Sequence, residues 1–386
     1  MRDEVQVRIC SAIKEQEFDA LVLFGADHSA YMSRILLPFA AQFPEKKAAF
    51  ILLKTGSMAI VAPFEWEQAI RDQGWNERLF VYSENDGPKT TVVAALIHQF
   101  LQNAGLSNAK IALDSDHCSV ADQQALAALM PGVVWVNAEI WINDLRKIKL
   151  PTEIDALQQA ATQSDRGVIG ALNHLEGTVD DLGYTMKELA ERLRVHVIEF
   201  GGTGVGDLCV AQAEAARSLY TPAEGKVESG KFLRMDFSNH NRGYWCATGR
   251  TVLVGTPDES HYQAYADNIL LQECAAAALK PGIKASDVFG AVKKTADANG
   301  ISFFEEAGVG HGVGMSECEA PALNARNQET LETGMVLMLD ICTYGPLAEL
   351  IHNKNMYVIT QDGAKRISTF KNWDTLYLVN GFRGTH

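Results

Sequence analysis

The chain lacks any long apolar run. No uninterrupted hydrophobic stretch in its 386 residues approaches the roughly 18 that a membrane span needs, which excludes a helical membrane protein. It also lacks basic clusters: the formal net charge is −14 and no run of Lys or Arg occurs. That argues against nucleic-acid binding, whose electrostatic footprint is a basic face, and against anionic membrane surfaces. Cysteine is sparse and scattered. The seven thiols (Cys10, Cys118, Cys209, Cys246, Cys274, Cys318, Cys342) are odd in number and contain no C-x-x-C pair. A disulfide framework or zinc knuckle is therefore not expected, and a reducing cytoplasm is the natural compartment. The first residues, Met1-Arg-Asp-Glu-Val-Gln, are charged from the second position and lead into no apolar core of a secretory signal.

What is present is ordinary globular composition, 47% hydrophobic and 21% charged. The length exceeds what one hydrophobic core usually supports, so two domains are expected. Residues 19–24, 48–53, 58–62 and 109–114 are short apolar runs bounded by polar residues or Gly, and read as buried strands. Helix-like segments, Glu65 to Gln73 and Thr91 to Ala104, lie between them. This alternation predicts a small three-layer α/β domain over residues 1–140. A boundary follows around Leu145–Ile154, where Pro151 suits the first turn of a helix with Ile154, Leu157, Ala160 and Ala161 on one face.

The second domain, residues 150–386, reads as α+β. Its strands are rich in β-branched and aromatic residues around Phe232–Phe237, Tyr244–Leu253, Met335–Thr343 and Asn355–Thr360. Two similar passages, Leu175–Leu182 and Leu279–Val288, each carry a Gly after one helix and an Asp-apolar pair at the start of the next, which suggests an internal duplication. Gly202-Thr-Gly-Val-Gly206 lies outside any βαβ start and reads as a tight turn. The glycines from Gly308 to Gly314 lack the Lys-Ser/Thr of a phosphate loop, so no nucleotide cofactor is implied.

Four passages carry the chemistry: Leu233-Arg-Met-Asp through Gly249-Arg-Thr251, Gly308-Val-Gly-His-Gly-Val-Gly through Glu319-Ala-Pro321, Gly334-Met-Val-Leu-Met-Leu-Asp340, and His352-Asn-Lys-Asn through Gly363. Their order, spacing and framing residues resemble the pita-bread hydrolases: creatinase, prolidase, aminopeptidase P and methionine aminopeptidase. The resemblance runs from about Leu145 to Ser368, and the first domain fits the smaller N-terminal domain of creatinase and prolidase. It implies a C-terminal pita-bread domain preceded by a creatinase-type domain. It also implies a homodimer in which the Tyr31–Phe39 segment approaches the neighbouring subunit's pocket.

Metal-dependent members hold two divalent cations with Asp, Asp, His, Glu and Glu. Carried over position by position, these fall on Asp236, Ala247, His311, Asp340 and Lys354. Two ligands are lost, and one of the two becomes a cation, so the formal charge of the pocket rises by three units. Hard dications are held by concentrated carboxylate charge, and an ammonium beside them costs on the order of several kcal/mol even at an effective dielectric constant near 20. Metal binding there is expected to fail, with no cofactor required. Lys354 is expected instead between Asp236 and Asp340, where its charge offsets the cost of burying two carboxylates.

Two further family histidines are absent. One stands as Cys318, read as a small buried residue or, with a lowered pKa, as a thiolate nucleophile. The other falls at Leu219-Tyr220. His311 is the candidate proton-transfer group. Glu319, Tyr244, Arg217 and Tyr220 are candidate substrate contacts, Cys246 is a further pocket candidate, and Arg250 is expected to be a buried ion-pair partner.

The resemblance to creatinase and to the metal-free ectoine-opening branch implies a metal-independent hydrolase of a C–N bond in a small amino-acid-derived or guanidino substrate. The alternatives are a catalytically inactive pita-bread binding module and a single-metal Xaa-Pro peptidase-like enzyme using Asp236, His311 and Asp340.

Overall fold

The structure, a computed structural model, describes residues 3–37, 46–176, 184–203, 205–212 and 222–379. It divides into two compact units, Met1–Arg146 and Lys147–His386.

In the first unit a six-stranded mixed sheet has the order β4-β3-β2-β1-β5-β6. The strands are β1 (Ala20–Leu23), β2 (Ala49–Leu53), β3 (Met58–Pro63), β4 (Arg78–Tyr82), β5 (Lys110–Leu113) and β6 (Val134–Asn137). The interior strands β1, β2 and β3 are buried at every position, hence their continuous apolar runs. The edge strands β4 and β6 are partly exposed, so they carry no continuous apolar run that would mark them in the sequence. The helix Lys89–Asn103 turns Val93, Ala94, Ile97 and Leu101 onto the sheet, matching its apolar spacing.

The second unit opens at Pro151, the first residue of the helix Pro151–Glu176. The helix buries Ala156, Leu157, Ala160 and Ala161 as its periodicity predicts, with Ile154 half-buried beside them. It pairs with the helix Met186–Glu199, whose start is fixed by a capping box between Thr185 and Glu188. These helices cover one face of a four-stranded sheet of order β15-β9-β8-β7. Its strands are β7 (Val205–Gln212), β8 (Lys231–Asn241), β9 (Tyr244–Val254) and β15 (Leu378–Val379).

The arrangement then repeats. Helices Glu259–Ala278 and Ala285–Asn299 cover one face of a five-stranded sheet of order β11-β10-β12-β13-β14. This sheet comprises β10 (Gly310–Gly312), β11 (Glu319–Ala322), β12 (Val336–Tyr344), β13 (Leu350–Thr360) and β14 (Gly363–Arg366). Of the two repeated passages, most of the first (residues 177–183) lies outside the described residues. In the second, Asp287 accepts the Lys284 N–H at 3.1 Å and starts the helix there.

Strand periodicity separates core from site. On β8, Leu233, Met235 and Phe237 join the apolar core under the first helix pair. On β12, Leu337, Leu339 and Ile341 join the core under the second. Because successive side chains alternate faces, Arg234, Asp236, Asp340 and Cys342 are left on the opposite faces, and β8 and β9 lie against β13 there.

Candidate active site

Two antiparallel strand pairs build the site. Register sets Asp340 opposite Lys354 and Cys342 opposite His352 across β12 and β13, so all four side chains share one face. Asp236 comes from β8, whose partner position on β9 is Gly249. A Cβ on Gly249 would lie 2.9 Å from Lys354 Cγ and 3.2 Å from the His352 carbonyl, so glycine there lets β13 approach and the lysine stem pass. Thr251 locks the two strands together: its hydroxyl donates to the His352 carbonyl (3.2 Å) and accepts the His352 N–H (2.8 Å). Ala247 is buried, and no ligand atom stands where the family carries its second Asp.

The Lys354 ammonium lies 2.9 Å from Asp236 Oδ1 and 3.4 Å from Asp340 Oδ2. A second bridge was not anticipated. His352 Nδ1 lies 3.2 Å from Asp236 Oδ2, and Nε2 is hydrogen-bonded to Asp340 Oδ1. Each carboxylate thus meets two cationic or cation-capable groups, and Arg234 Nη1 adds a third to Asp236 at 3.5 Å. The signal for His352 was in the sequence. It stands two residues before Lys354, and period-two alternation puts both on the same face of one strand.

Burial and charge oppose each other in all four groups. Burial pushes the Asp236 carboxyl up, but Lys354 and His352 outweigh it and hold the group down at about 2. Asp340 is likewise held well below the carboxylate range, burial being outweighed by Lys354, His352 and the nearby His311. Burial also disfavours charge on Lys354 and His352, and the facing acidic groups raise both nonetheless. The cluster is a desolvated but compensated network of charge-assisted hydrogen bonds.

The donor set does not fit the family's pair of divalent cations. Asp340, Cys342 and His352 could each offer an atom to a metal, all within 4.8 Å of one another. But His352 and Lys354 already bind the carboxylate oxygens a cation would need, and Lys354 supplies positive charge where a dication would sit.

His311 lies on β10, opposite Met338 of β12 and therefore on the same face as Asp340. Gly310 and Gly312 flank it, and a Cβ on either would fall within 2.2 Å of a neighbouring carbonyl oxygen, which explains the glycine spacing. His311 Nδ1 is 2.8 Å from the Gly312 carbonyl, so it carries the proton and Nε2 is left to accept. Nε2 lies 3.7 Å from Cys318 Sγ. Cys318 is exposed, which corrects the expectation of a small buried filler. Cys246, by contrast, is buried and its thiol is pushed up to about 12 by desolvation, so it is no nucleophile.

The other candidate contacts divide. Glu319 pairs with buried Lys149 (2.9 Å) and accepts the Ser316 N–H (3.1 Å), which braces the turn that carries Cys318. Tyr244 is fully buried and donates to Glu153 at 2.9 Å, so it acts as a core strut and not as a substrate contact. Arg250 pairs with buried Asp165 at 2.9 Å and also donates to the Gly249 and Lys354 carbonyls, the structural role expected of it. Arg217 and Tyr220 lie outside the described residues, as do Pro38 and Phe39 of the Tyr31–Phe39 segment.

Residues 155–361 match the metallopeptidase family M24, and residues 8–148 match the creatinase/prolidase N-terminal domain. The chain belongs to the M24 family. This M24 chain is similar to the Xaa-Pro dipeptidase of Lactobacillus helveticus, 25% identical over 325 residues that cover 83% of this chain and 86% of that protein. Its fold is that of the X-Pro aminopeptidase from Thermotoga maritima MSB8, with a TM-score of 0.84 at 17% identity, covering 97% of this chain and 99% of the other. It also matches the N-terminal domain of the FACT complex subunit SPT16 from Cicer arietinum (chickpea). There the TM-score is 0.72 at 14% identity, with coverage of 97% and 98%. At such identities the structural matches establish the two-domain fold alone.

Proposed function

We propose that this M24 chain is a metal-independent hydrolase that cleaves the C–N bond of a small amino-acid-derived amide, of the Xaa-Pro dipeptide or N-acyl amino-acid type. One observation carries the metal-independent part: Lys354 and His352 both bridge Asp236 and Asp340, so protonated side chains do the electrostatic work that dications do in metal-dependent members. The same arrangement disfavours a single-metal reading on Asp236, His311 and Asp340. The relatives named as Xaa-Pro dipeptidases move the substrate class away from guanidino compounds and toward dipeptides.

The chemistry falls to half-buried His311 and exposed Cys318. His311 Nε2 takes the thiol proton as sulfur bonds to the acyl carbon. The amine then leaves with that proton, and water activated by the same imidazole cleaves the thioester to release the acid and restore the thiol. Lys354 and the two aspartates set the field beside this pair, with Asp340 the most solvent-accessible of the three. The substrate is a small molecule, and the expected assembly is a homodimer acting in the cytoplasm.

The test is a turnover screen of Xaa-Pro dipeptides, N-acyl amino acids, creatine and cyclic amidines, with and without EDTA. Hydrolysis that survives the chelator is the expected result. Hydrolysis abolished by EDTA and restored by Mn2+ or Zn2+ sinks the metal-independent reading. If no compound turns over and none raises the melting temperature, the hydrolase reading itself fails.

A further inference from the structure

The N-terminal unit holds a second cluster of titratable side chains that this reaction does not use. The helix Ala26–Ser33 supplies Asp27 and His28, the turn after β5 supplies Asp114 and His117, and the helix Glu139–Lys147 supplies Glu139 and Arg146. Three carboxylates, those of Asp27, Asp114 and Glu139, belong to this cluster. Arg146 Nη1 takes Asp27 Oδ2 at 2.7 Å, while Asp27 Oδ1 lies 3.9 Å from His117 Nε2. The two imidazole rings meet edge to face, 4.6 Å between centroids.

His28 is the unusual member. It is 2% exposed, and its Nδ1 has no hydrogen-bond partner, although Asp114 Oδ2 lies 3.4 Å away and Glu139 Oε1 lies 3.5 Å from Nε2. An imidazole nitrogen desolvated without a partner is costly and needs a reason. Asp114 is committed elsewhere, since its oxygens accept the N–H groups of Phe24 (2.9 and 3.0 Å) and Gly25 (2.7 Å). Gly25 makes room for the second ring, because a Cβ there would lie 2.8 Å from His117 Cγ.

We propose that Asp27, His28 and His117 form a binding site for one transition-metal dication of the zinc class. One ligand atom from each residue lies within 4.8 Å of the other two. Bonds of about 2.0–2.1 Å would draw such atoms to roughly 3.4 Å apart, an inward shift of under about 1 Å for each side chain. Two imidazoles and one carboxylate suit Zn2+, Ni2+ or Cu2+ and not Mg2+ or Ca2+, which need more oxygen ligands. The dication would give the buried His28 imidazole a partner. Asp114, Glu139 and Arg146 would orient the ligands from behind, and the side chain of His117, 38% exposed, leaves a solvent path for entry.

The experiment is equilibrium dialysis of the EDTA-stripped full chain against Zn2+, with metal per chain read by elemental analysis. About one Zn2+ per chain is expected, with affinity lowered at least about tenfold in both His117→Ala and Asp27→Asn. His117 is partly exposed, so its replacement leaves the fold intact, which circular dichroism verifies. No Zn2+ uptake by the wild-type chain overturns the site, as does uptake unchanged in both variants. Preferential uptake of Mg2+ or Ca2+ overturns the metal class. None of these outcomes bears on the hydrolase reading, which is decided by turnover.

Discussion

In the proposed reading, Lys354 takes over the work of an ion. Its ammonium reaches both Asp236 and Asp340, and removing one partner from a buried ion network strands the other charges. Lys354→Met is expected to lower unfolding free energy by about 3–5 kcal/mol, measured by urea denaturation. A loss within 0.5 kcal/mol would mean that His352 alone suffices. The complementary change restores the family's ligands: in Ala247→Asp/Lys354→Glu, the carboxylate set regains the charge that dications need. Mn2+ is expected to raise the melting temperature of that double variant and not that of the wild type. At Cys318 the expectation is purely kinetic. Cys318→Ala is expected to cost at least about a hundredfold in turnover, with stability within about 0.5 kcal/mol because the residue is exposed. Undiminished turnover would remove the nucleophile while leaving hydrolysis by another route.

At the scale of elements, the contact between β9 and β13 depends on Gly249. Gly249→Ala would press a methyl against Lys354 Cγ and the His352 carbonyl, and overpacking of this kind costs roughly 1–3 kcal/mol in unfolding free energy. The opposed strands also set the pH response. His352 has a raised pKa in the folded state, so its contribution is complete below the unfolded value of about 6.5 and is lost as pH rises through the folded one. Asp236 is depressed to about 2, so its contribution is present above about 3.9 and is lost as pH falls through about 2. The urea midpoint is expected to be highest between roughly pH 4 and 6.5. In His352→Gln the decline on the alkaline side should flatten, and an unchanged alkaline limb would assign it to other groups.

For the whole molecule, the two units give separable readouts. Lys354→Met is expected to destabilise the M24 unit without changing Zn2+ uptake, and His117→Ala to change Zn2+ uptake without changing turnover. Loss of turnover in His117→Ala would tie the N-terminal site to catalysis.

The sequence by itself determined which residues could meet. Apolar runs marked β1, β2 and β3, because fully buried strands cannot hide polar positions, and the buried Ile-Ala-Leu of β5 marked that strand. The family resemblance put Asp236, His311, Asp340 and Lys354 at one site, and period-two alternation turned Lys354 inward. Partly exposed β4 and β6 carried no such signal. Only the tertiary structure decided the rest. It put His352 between the two carboxylates, turned Tyr244 onto Glu153, and left Cys318 in the open beside His311. Those outcomes depend on the register of β12 against β13 and on how closely two sheets can stack over Gly249. The contacts of Asp236 with His352, of Tyr244 with Glu153 and of Gly249 with Lys354 join strands and helices far apart in the chain, and local pattern does not encode them.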